Sequence, residues 1–219
     1  MICVEKLCMT QGTFSLHDVS FEVDEGQYAV LTGKSGSGKT SILEAICGLR
    51  RIHAGRVLLG DLDVTHLRPA ERRVGYVPQD GALFPNYRVG EQLAFALIVR
   101  RHAHQAINER VRDLAEMLKI THLLDRFPDN LSGGEIQRVA LGRTLALEPR
   151  VLCFDEPLCA LDSDTHEEIC ELLHTTIKAQ QITTLHITHN RAEASILADI
   201  AFDLRDGCIS RIDGQDKRP

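Results

Sequence analysis

Three groups of residues have the type and spacing to act on a phosphorylated ligand. The first is Gly33-Lys34-Ser35-Gly36-Ser37-Gly38-Lys39-Thr40, which satisfies the phosphate-loop pattern G-x-x-x-x-G-K-[ST] at every fixed position. Glycines let a backbone curl until successive N–H groups converge on an anion. A helix starting just after the loop adds its positive N-terminal end. Lys39 can reach β- and γ-phosphates as a point charge, and the Thr40 hydroxyl suits Mg²⁺. The second group is Asp155-Glu156, a carboxylate pair directly after the apolar run Val151-Leu152-Cys153-Phe154. One carboxylate there can hold Mg²⁺ while the next polarises a water for in-line attack. The third is Leu131-Ser132-Gly133-Gly134-Glu135. Ser132 and Glu135 have capping-box spacing, so a helix is expected to start there. Capping leaves the two glycines unexplained, since each costs about 1 kcal/mol in a helix relative to Ala. A phosphate approaching an exposed helix N-terminus would account for them.

Each group needs an element to position it. Tyr28–Thr32 reads as a short apolar strand before the phosphate loop, and the run from Ser41 to Ile46 as a helix that stops at Gly48. Val151–Phe154 suits a strand buried on both faces of a parallel sheet. Ligands in such sheets bind beyond the carboxyl ends of the strands, which places Asp155 and Glu156 beside the phosphate loop. Thr183–His189 reads as a further strand ending in a histidine. Residues 2–7 and 14–23 read as strands of an antiparallel layer, with Phe14, Leu16, Val19, Phe21 and Val23 largely alternating. Val57–Leu59 and Arg72–Val77 read as short strands. Ile107, Val111, Leu114 and Leu118 recur at helical spacing, and a second helix is expected from Ser132 toward Pro149, so residues 90 to about 147 form a helical insertion. Ile169, Leu172, Leu173 and Ile177 mark another helix. Ile200–Leu204 and Cys208–Ser210, joined by Asp206-Gly207, read as a closing hairpin. The residues from Gly214 are expected to fray.

Composition bounds the reading. A length of 219 residues with 43% hydrophobic and 26% charged content is that of a globular α/β chain with a real core. The net charge of −6 argues against a nucleic-acid partner. Seven cysteines lack a C-x-x-C pair and are expected as small buried hydrophobes in a reducing compartment, outside any disulfide or zinc site. Glu5 and Lys6 interrupt any signal-peptide pattern. No apolar run approaches the ~20 residues that span a bilayer.

Taken together, the motifs resemble those of the nucleotide-binding subunit of an ABC (ATP-binding cassette) transporter, over essentially the whole chain and in that family's order. Gly33–Thr40 resembles its Walker A loop, and Gln79 sits where the Q-loop glutamine falls. Leu131–Glu135, continuing into Gln137-Arg138, is similar to the LSGGQ signature. Val151–Glu156 is similar to Walker B with its catalytic glutamate, Leu161-Asp162 to the end of the D-loop, and His189 to the switch histidine.

The resemblance implies an α/β fold: a P-loop NTPase of the ABC ATPase type, with a RecA-like core, an antiparallel β subdomain and a helical subdomain. The whole of 1–219 would be one cassette, with 1–80 and 148–219 forming the β subdomain and core, and 81–147 the helical subdomain. It implies ATP and Mg²⁺ as ligands. Gly33, Lys34, Ser35, Gly36, Ser37, Gly38, Lys39, Thr40 and Ser41 would contact the nucleotide, and Thr40, Gln79 and Asp155 the metal. Glu156, His189, Gln79 and Lys39 would be catalytic. Two cassettes, expected as identical chains, would pack head to tail, so that Ser132, Gly133 and Gly134 contact the partner's ATP. Gln79 would relay the state of the site to a membrane subunit.

The stretch from Gly75-Tyr76-Val77-Pro78-Gln79-Asp80 to Ala82-Leu83-Phe84-Pro85-Asn86 is similar to importer subunits of the molybdate, sulfate and polyamine type. Residues 80–88 would then face the coupling helix of an integral permease at the cytoplasmic face of the cell membrane, with a solute-binding protein as a further partner. With so short a stretch after the closing hairpin, the expectation is a cassette without the distal regulatory domain many such subunits carry. An exporter or lipoprotein-release cassette is the nearest rival. A soluble cassette acting on DNA or ribosomes, and a non-hydrolytic module, are the others. Four positions depart from the family's pattern: Gln11 where an aromatic usually stacks on adenine, Glu135 for glutamine, Cys159 for serine, and Asn190 for aspartate.

Overall fold

The computed structural model describes residues 1–12, 14–159 and 161–212. By contact density they fall into two compact units. One comprises Met1–Tyr76, Arg150–Glu156 and the described residues from His174 on. The other comprises Val77–Pro149 and the described residues of Pro157–Leu173. The expectation for the residues from Gly214 lies outside the described residues.

The first unit holds two sheets. Strands β1 (Ile2–Gln11), β2 (Phe14–Val23), β4 (Ala54–Leu59) and β5 (Leu62–Asp63) form one, in the order β2-β1-β4-β5, with all pairs antiparallel. The alternation of β2 slips between Leu16 and Val19. Asp18 takes a left-handed φ of 53° there, and Lys6 on β1 takes 45°, so two irregularities shift the register between the strands. Both sets of apolar side chains still reach one face.

The second sheet has the order β10-β9-β3-β8-β7-β6. It contains β3 (Tyr28–Gly33), β6 (Val74–Val77), β7 (Val151–Asp155), β8 (Thr183–Ile187), β9 (Ile200–Arg205) and β10 (Cys208–Ile212). Strands β9, β3, β8 and β7 run parallel, and β10 closes the edge antiparallel to β9. Every residue of β7 and β8 is buried, as expected of strands covered on both faces. Helix α1 (Lys39–Cys47) packs its Ile42, Leu43 and Ile46 into a core shared with Val4, Leu7, Phe21, Leu31 and Phe202.

One segment departs from expectation. Arg72 and Arg73 do not begin β6. Arg72 ends the short helix α2 (Pro69–Arg72), and Arg73 caps it in a left-handed conformation. The cause is long-range. The buried Arg72 guanidinium donates to the carbonyls of Ala45 and Ile46 at the end of α1, and to those of Thr65 and Leu67. Those contacts give the last turn of α1 a cationic partner for its carbonyls, beside the Gly48 N–H that Ala45 also accepts.

The second unit contains α3 (Val89–Val99), α4 (His104–Met117) and α5 (Gly133–Leu145). Leu93, Leu97, Leu114, Leu118, Val139 and Leu145 are buried there. Gly142 lets α5 close on the others: a Cβ at that position would lie 2.6 Å from Leu93 Cδ2 and 2.8 Å from Leu118 Cδ1. Helix α6 (Ser163–Ala179) has residues in both units, and α7 (Arg191–Leu197) belongs to the first.

The cysteines are less uniform than expected. Cys47, Cys153 and Cys170 are buried, Cys3 and Cys8 are half-buried, and Cys159 and Cys208 are exposed. The side-chain hydrogen bond with Cys47, reinforced by burial, pushes the Cys153 thiol well above its ordinary range, away from thiolate chemistry.

Candidate functional site

Strand β3 carries the chain into the phosphate loop, and α1 leads out of it. Gly38 is the N-cap of α1 at φ 100°, a conformation that L side chains rarely adopt. Space forbids a side chain as well, because a Cβ there would lie 2.4 Å from Phe14 Cζ. The Lys39 ammonium, almost fully buried, donates to the carbonyls of Gly33 at 2.9 Å and Lys34 at 3.0 Å, and so holds the loop curled around itself. Ser37 N–H closes the turn onto the Lys34 carbonyl at 3.2 Å. Ser37 Oγ is buried without a hydrogen-bond partner among the described residues. A curled loop of N–H groups, a lysine and an unsatisfied hydroxyl is a donor set suited to a polyphosphate.

Thr40 Oγ1 donates to Asp155 Oδ1 at 3.0 Å, joining the first turn of α1 to the end of β7. Burial pushes the Asp155 carboxyl above its ordinary value, with Glu156 and Glu44 adding to the rise and the Thr40 hydroxyl and Lys39 opposing it. A hydroxyl and a carboxylate beside a phosphate site are hard oxygen donors, which fits Mg²⁺ completed by phosphate oxygens and water. Among the described residues no cluster of three or more His, Cys, Asp or Glu could hold a metal by itself.

Glu156 follows immediately, at a left-handed φ of 47°. Its N–H donates to the Ile187 carbonyl at 2.9 Å, which pins the backbone turn to the end of β8. The turned backbone brings Glu156 Oε2 to 2.9 Å from His189 Nδ1. His189 stands two residues beyond β8, not within the strand. Thr188 N–H bonds the Leu31 carbonyl, and Asn190 N–H bonds Thr188 Oγ1. His186 is a core residue, fully buried with Nδ1 at 2.9 Å from Tyr28 Oη.

In the second unit Ser132 is the N-cap of α5. Its Oγ accepts from Glu135 N–H at 3.3 Å, and its own N–H donates to Glu135 Oε2 at 2.7 Å, so the capping box forms. That backbone bond holds the Glu135 carboxyl below its ordinary value. Ser132 and Gly133 are exposed and Gly134 is buried. Gly134 has a packing reason that sequence reasoning missed, because a Cβ there would lie 2.4 Å from Thr165 Cγ2. Gln79 offers its carbonyl to Gln137 Nε2 at 3.3 Å and its own Nε2 to Cys159 Sγ at 3.2 Å.

The segment 80–88 is fixed from below. Gln92, fully buried, accepts from Phe84 N–H and donates to the Phe84 and Tyr87 carbonyls, while Arg143 donates to those of Gly81 and Ala82. Arg138 ties α5 to the Leu118 carbonyl and to Glu168 at 2.9 Å. The Arg143 and Arg138 anchors bond residues twenty or more positions away and leave no local signal. At the hairpin tip of the first unit, Gln11 Oε1 is taken by Arg50 Nη1 at 2.6 Å, and Arg50 also pairs with Glu44.

Thus Lys39, Thr40 and Asp155 are brought together, as are Glu156 and His189, all in the first unit. Gln79, Ser132, Gly133 and Gly134 belong to the second.

The chain is similar to known proteins in sequence and in fold. The chain is 42% identical over 199 residues to the molybdate/tungstate import ATP-binding protein WtpC of Thermococcus kodakarensis, which covers 91% of this chain and 60% of that protein. It is 40% identical over 212 residues to the sulfate/thiosulfate import ATP-binding protein CysA of Nephroselmis olivacea, covering 96% and 62%. The chain therefore spans about three fifths of the length of these curated relatives. Among solved structures, a dimeric ATP-binding cassette, MJ0796, in a post-hydrolysis state bound to ADP and Pi, superposes with a TM-score of 0.85 at 29% identity, covering 96% of this chain and 97% of that one. The family model described as ABC transporter matches residues 16–159. That match takes in more than half of the sequence, and the chain belongs to the ABC transporter family.

Proposed function

We propose that this chain hydrolyses MgATP as one of two identical cassettes, and that the pair drives a separate importer permease from the inner face of the cell membrane. The observation that carries the reading is the Glu156–His189 contact of 2.9 Å, placed one residue beyond the Asp155–Thr40 bond at the end of the parallel strands. The phosphate-loop N–H groups and Lys39 bind the β- and γ-phosphates. The residues from Gly33 to Ser41 form the nucleotide contact. Thr40 and Asp155 would hold Mg²⁺, which when bound would neutralise phosphate charge. Glu156 orients the attacking water and takes up its proton as attack proceeds, and His189 holds the Glu156 carboxylate and contacts the γ-phosphate. The start of α5, with Ser132 and Gly133 exposed and the buried Gly134 behind them, would face the ATP of the partner cassette. Closure around two nucleotides, and reopening after hydrolysis, gates the permease.

The importer direction is supported by relatives named as import ATP-binding proteins at about 40% identity. A dimer is supported by the dimeric cassette that superposes on this chain. Among the described residues no helix is long and apolar enough to cross a membrane, in keeping with a separate permease. A solute-binding protein delivering cargo to that permease completes the assembly.

The test is the mass in solution of Glu156→Gln with and without MgATP, by light scattering. Conversion of monomer to dimer on adding MgATP, abolished by Ser132→Arg, is the expected result. A protein that binds ATP and stays monomeric at high concentration would overturn the composite site.

A further inference from the structure

We propose that Glu193 is a positioning residue for His189, acting through the buried imidazole of His186, with Tyr28 fixing the far side of that ring. The proposal rests on the reading of His189 given above. Tyr28 and His186 are 0% exposed and Glu193 is 3% exposed. Tyr28 Oη lies 2.9 Å from His186 Nδ1, and His186 Nε2 lies 3.5 Å from Glu193 Oε2. The three side chains come from β3, β8 and α7, so the contact joins the strand that enters the phosphate loop to the helix that leaves the switch histidine.

Local rules alone would not place a carboxylate there. Asn190 and Glu193 have capping-box spacing, and a glutamate at that position ordinarily reaches back to the N-cap N–H from the surface. Here Asn190 N–H donates to Thr188 Oγ1 at 3.0 Å, and the Glu193 carboxylate is buried facing His186. Burying a tyrosine hydroxyl, an imidazole and a carboxylate is costly relative to apolar side chains of the same volume. What such a cluster supplies is a fixed orientation. A Tyr28 hydroxyl donating to Nδ1 leaves the imidazole proton on Nε2, the nitrogen that lies 3.5 Å from Glu193 Oε2.

The mechanical consequence falls on residue 189. On one side of it, Ile187 and Thr188 are tied to Glu156 N–H and to the Leu31 carbonyl. On the other, the first turn of α7 is seated on the core by the buried Glu193 carboxylate, 3.5 Å from His186 Nε2. His189 therefore sits between two anchored points, and its ring meets Glu156 at 2.9 Å although its side chain is 65% exposed. Exposed side chains seldom hold one position without help from the backbone beneath them.

The experiment is steady-state MgATP hydrolysis by the purified full chain. Glu193→Leu is expected to lower kcat about tenfold with KM for MgATP within about twofold, while Glu193→Gln, which keeps an acceptor, retains at least about half of kcat. The decisive arm is a double-mutant cycle, in which Glu193→Leu adds no further loss to His189→Ala. If Glu193→Leu fails to fold by thermal melt, Tyr28→Phe is carried through the same cycle, with a smaller loss expected and again none on the His189→Ala background. Independent losses in the double variant, a loss confined to KM, or wild-type kcat in Glu193→Leu would each overturn the proposal. Should His189→Ala itself leave kcat unchanged, the role of His189 falls and the proposal with it. A fall in His189→Ala alone removes only the proposal.

Discussion

Glu156 Oε2 and His189 Nδ1 are 2.9 Å apart because two backbone bonds fix the end of β8: Glu156 N–H to the Ile187 carbonyl ties it to the end of β7, and Thr188 N–H to the Leu31 carbonyl ties it to β3. The left-handed turn at Glu156 is the conformational cost of that contact. Chemistry at this place depends on sheet geometry as much as on the two side chains.

Asp155 should lower stability in the absence of metal. Burial raises its carboxyl above the unfolded value of 3.8, so the folded state binds the proton more tightly than the unfolded chain. The resulting penalty is full above the folded value, shrinks as pH falls through it, and is gone below the unfolded one. Asp155→Asn is therefore expected to raise the melting temperature of the nucleotide-free protein by about 3 °C at pH 7, with the difference closing in acid. Adding MgATP should reverse the order, stabilising wild type and leaving the variant nearly unmoved. Differential scanning fluorimetry across pH, with and without MgATP, checks both signs.

The capping carboxylate behaves in the opposite way. The Ser132 N–H bond holds Glu135 below its ordinary 4.5, so its contribution is present above that value and is lost as pH falls through the folded one. Glu135→Gln keeps an acceptor for Ser132 N–H and removes the charge at the helix start. At pH 7 the variant should be less stable by about 0.5 kcal/mol, with the two proteins converging as pH falls through the lowered folded value. Urea melts at neutral and acid pH measure the difference.

Gly134 separates packing from ligand binding. Gly134→Ala places a Cβ against Thr165 Cγ2, and the expected loss is about 1–3 kcal/mol of stability. Thr165→Ser removes that methyl group, so the double variant should recover most of the loss. If ATP-dependent dimerisation stays impaired in the double variant, the glycine also serves the nucleotide. If it returns, packing alone explains the residue.

Gln11 bears on base selectivity. Its carbonyl is engaged by Arg50, and Phe14 lies over Gly38 instead of standing free at the hairpin tip. Aromatic stacking contributes about 0.5–1.5 kcal/mol, so without it ATP and GTP should bind within about tenfold of each other. Isothermal titration with both nucleotides tests this, and a strong preference for ATP with tight binding would refute it.

The parts of the site legible in the sequence are those whose chemistry fixes residue type at short spacing. The phosphate loop, Asp155-Glu156 and Ser132…Glu135 read directly because glycine, lysine and carboxylate have few substitutes there. The fully apolar runs of β3 and β7 were equally plain. Arg72 was misread as strand because its partners, the carbonyls of Ala45 and Ile46, are more than twenty residues away. The register slips at Lys6 and Asp18 depend on pairing between strands, and α7, with seven residues, is too short for a helical period to stand out. Glu193 was invisible for the same reason as Arg72, since its role lies in a contact and not in a local pattern.

The placement of β3 between β8 and β9 also orders the birth of the molecule. Tyr28–Leu31 pairs with Thr184–Ile187, and Ala29–Gly33 with Ile200–Leu204, so both edges of the strand that enters the phosphate loop await residues synthesised some 150 positions later. Contacts of such long sequence separation form slowly. On the ribosome, the residues of β3 emerge with their partners still untranslated, and the apolar Tyr28-Ala29-Val30-Leu31 stays without its sheet until Thr184–Ile187 and Ile200–Leu204 have been made. A nascent chain stalled before residue 200 would carry every phosphate-binding residue yet lack the β9 neighbour that completes the central strand, which makes it a natural client for chaperones.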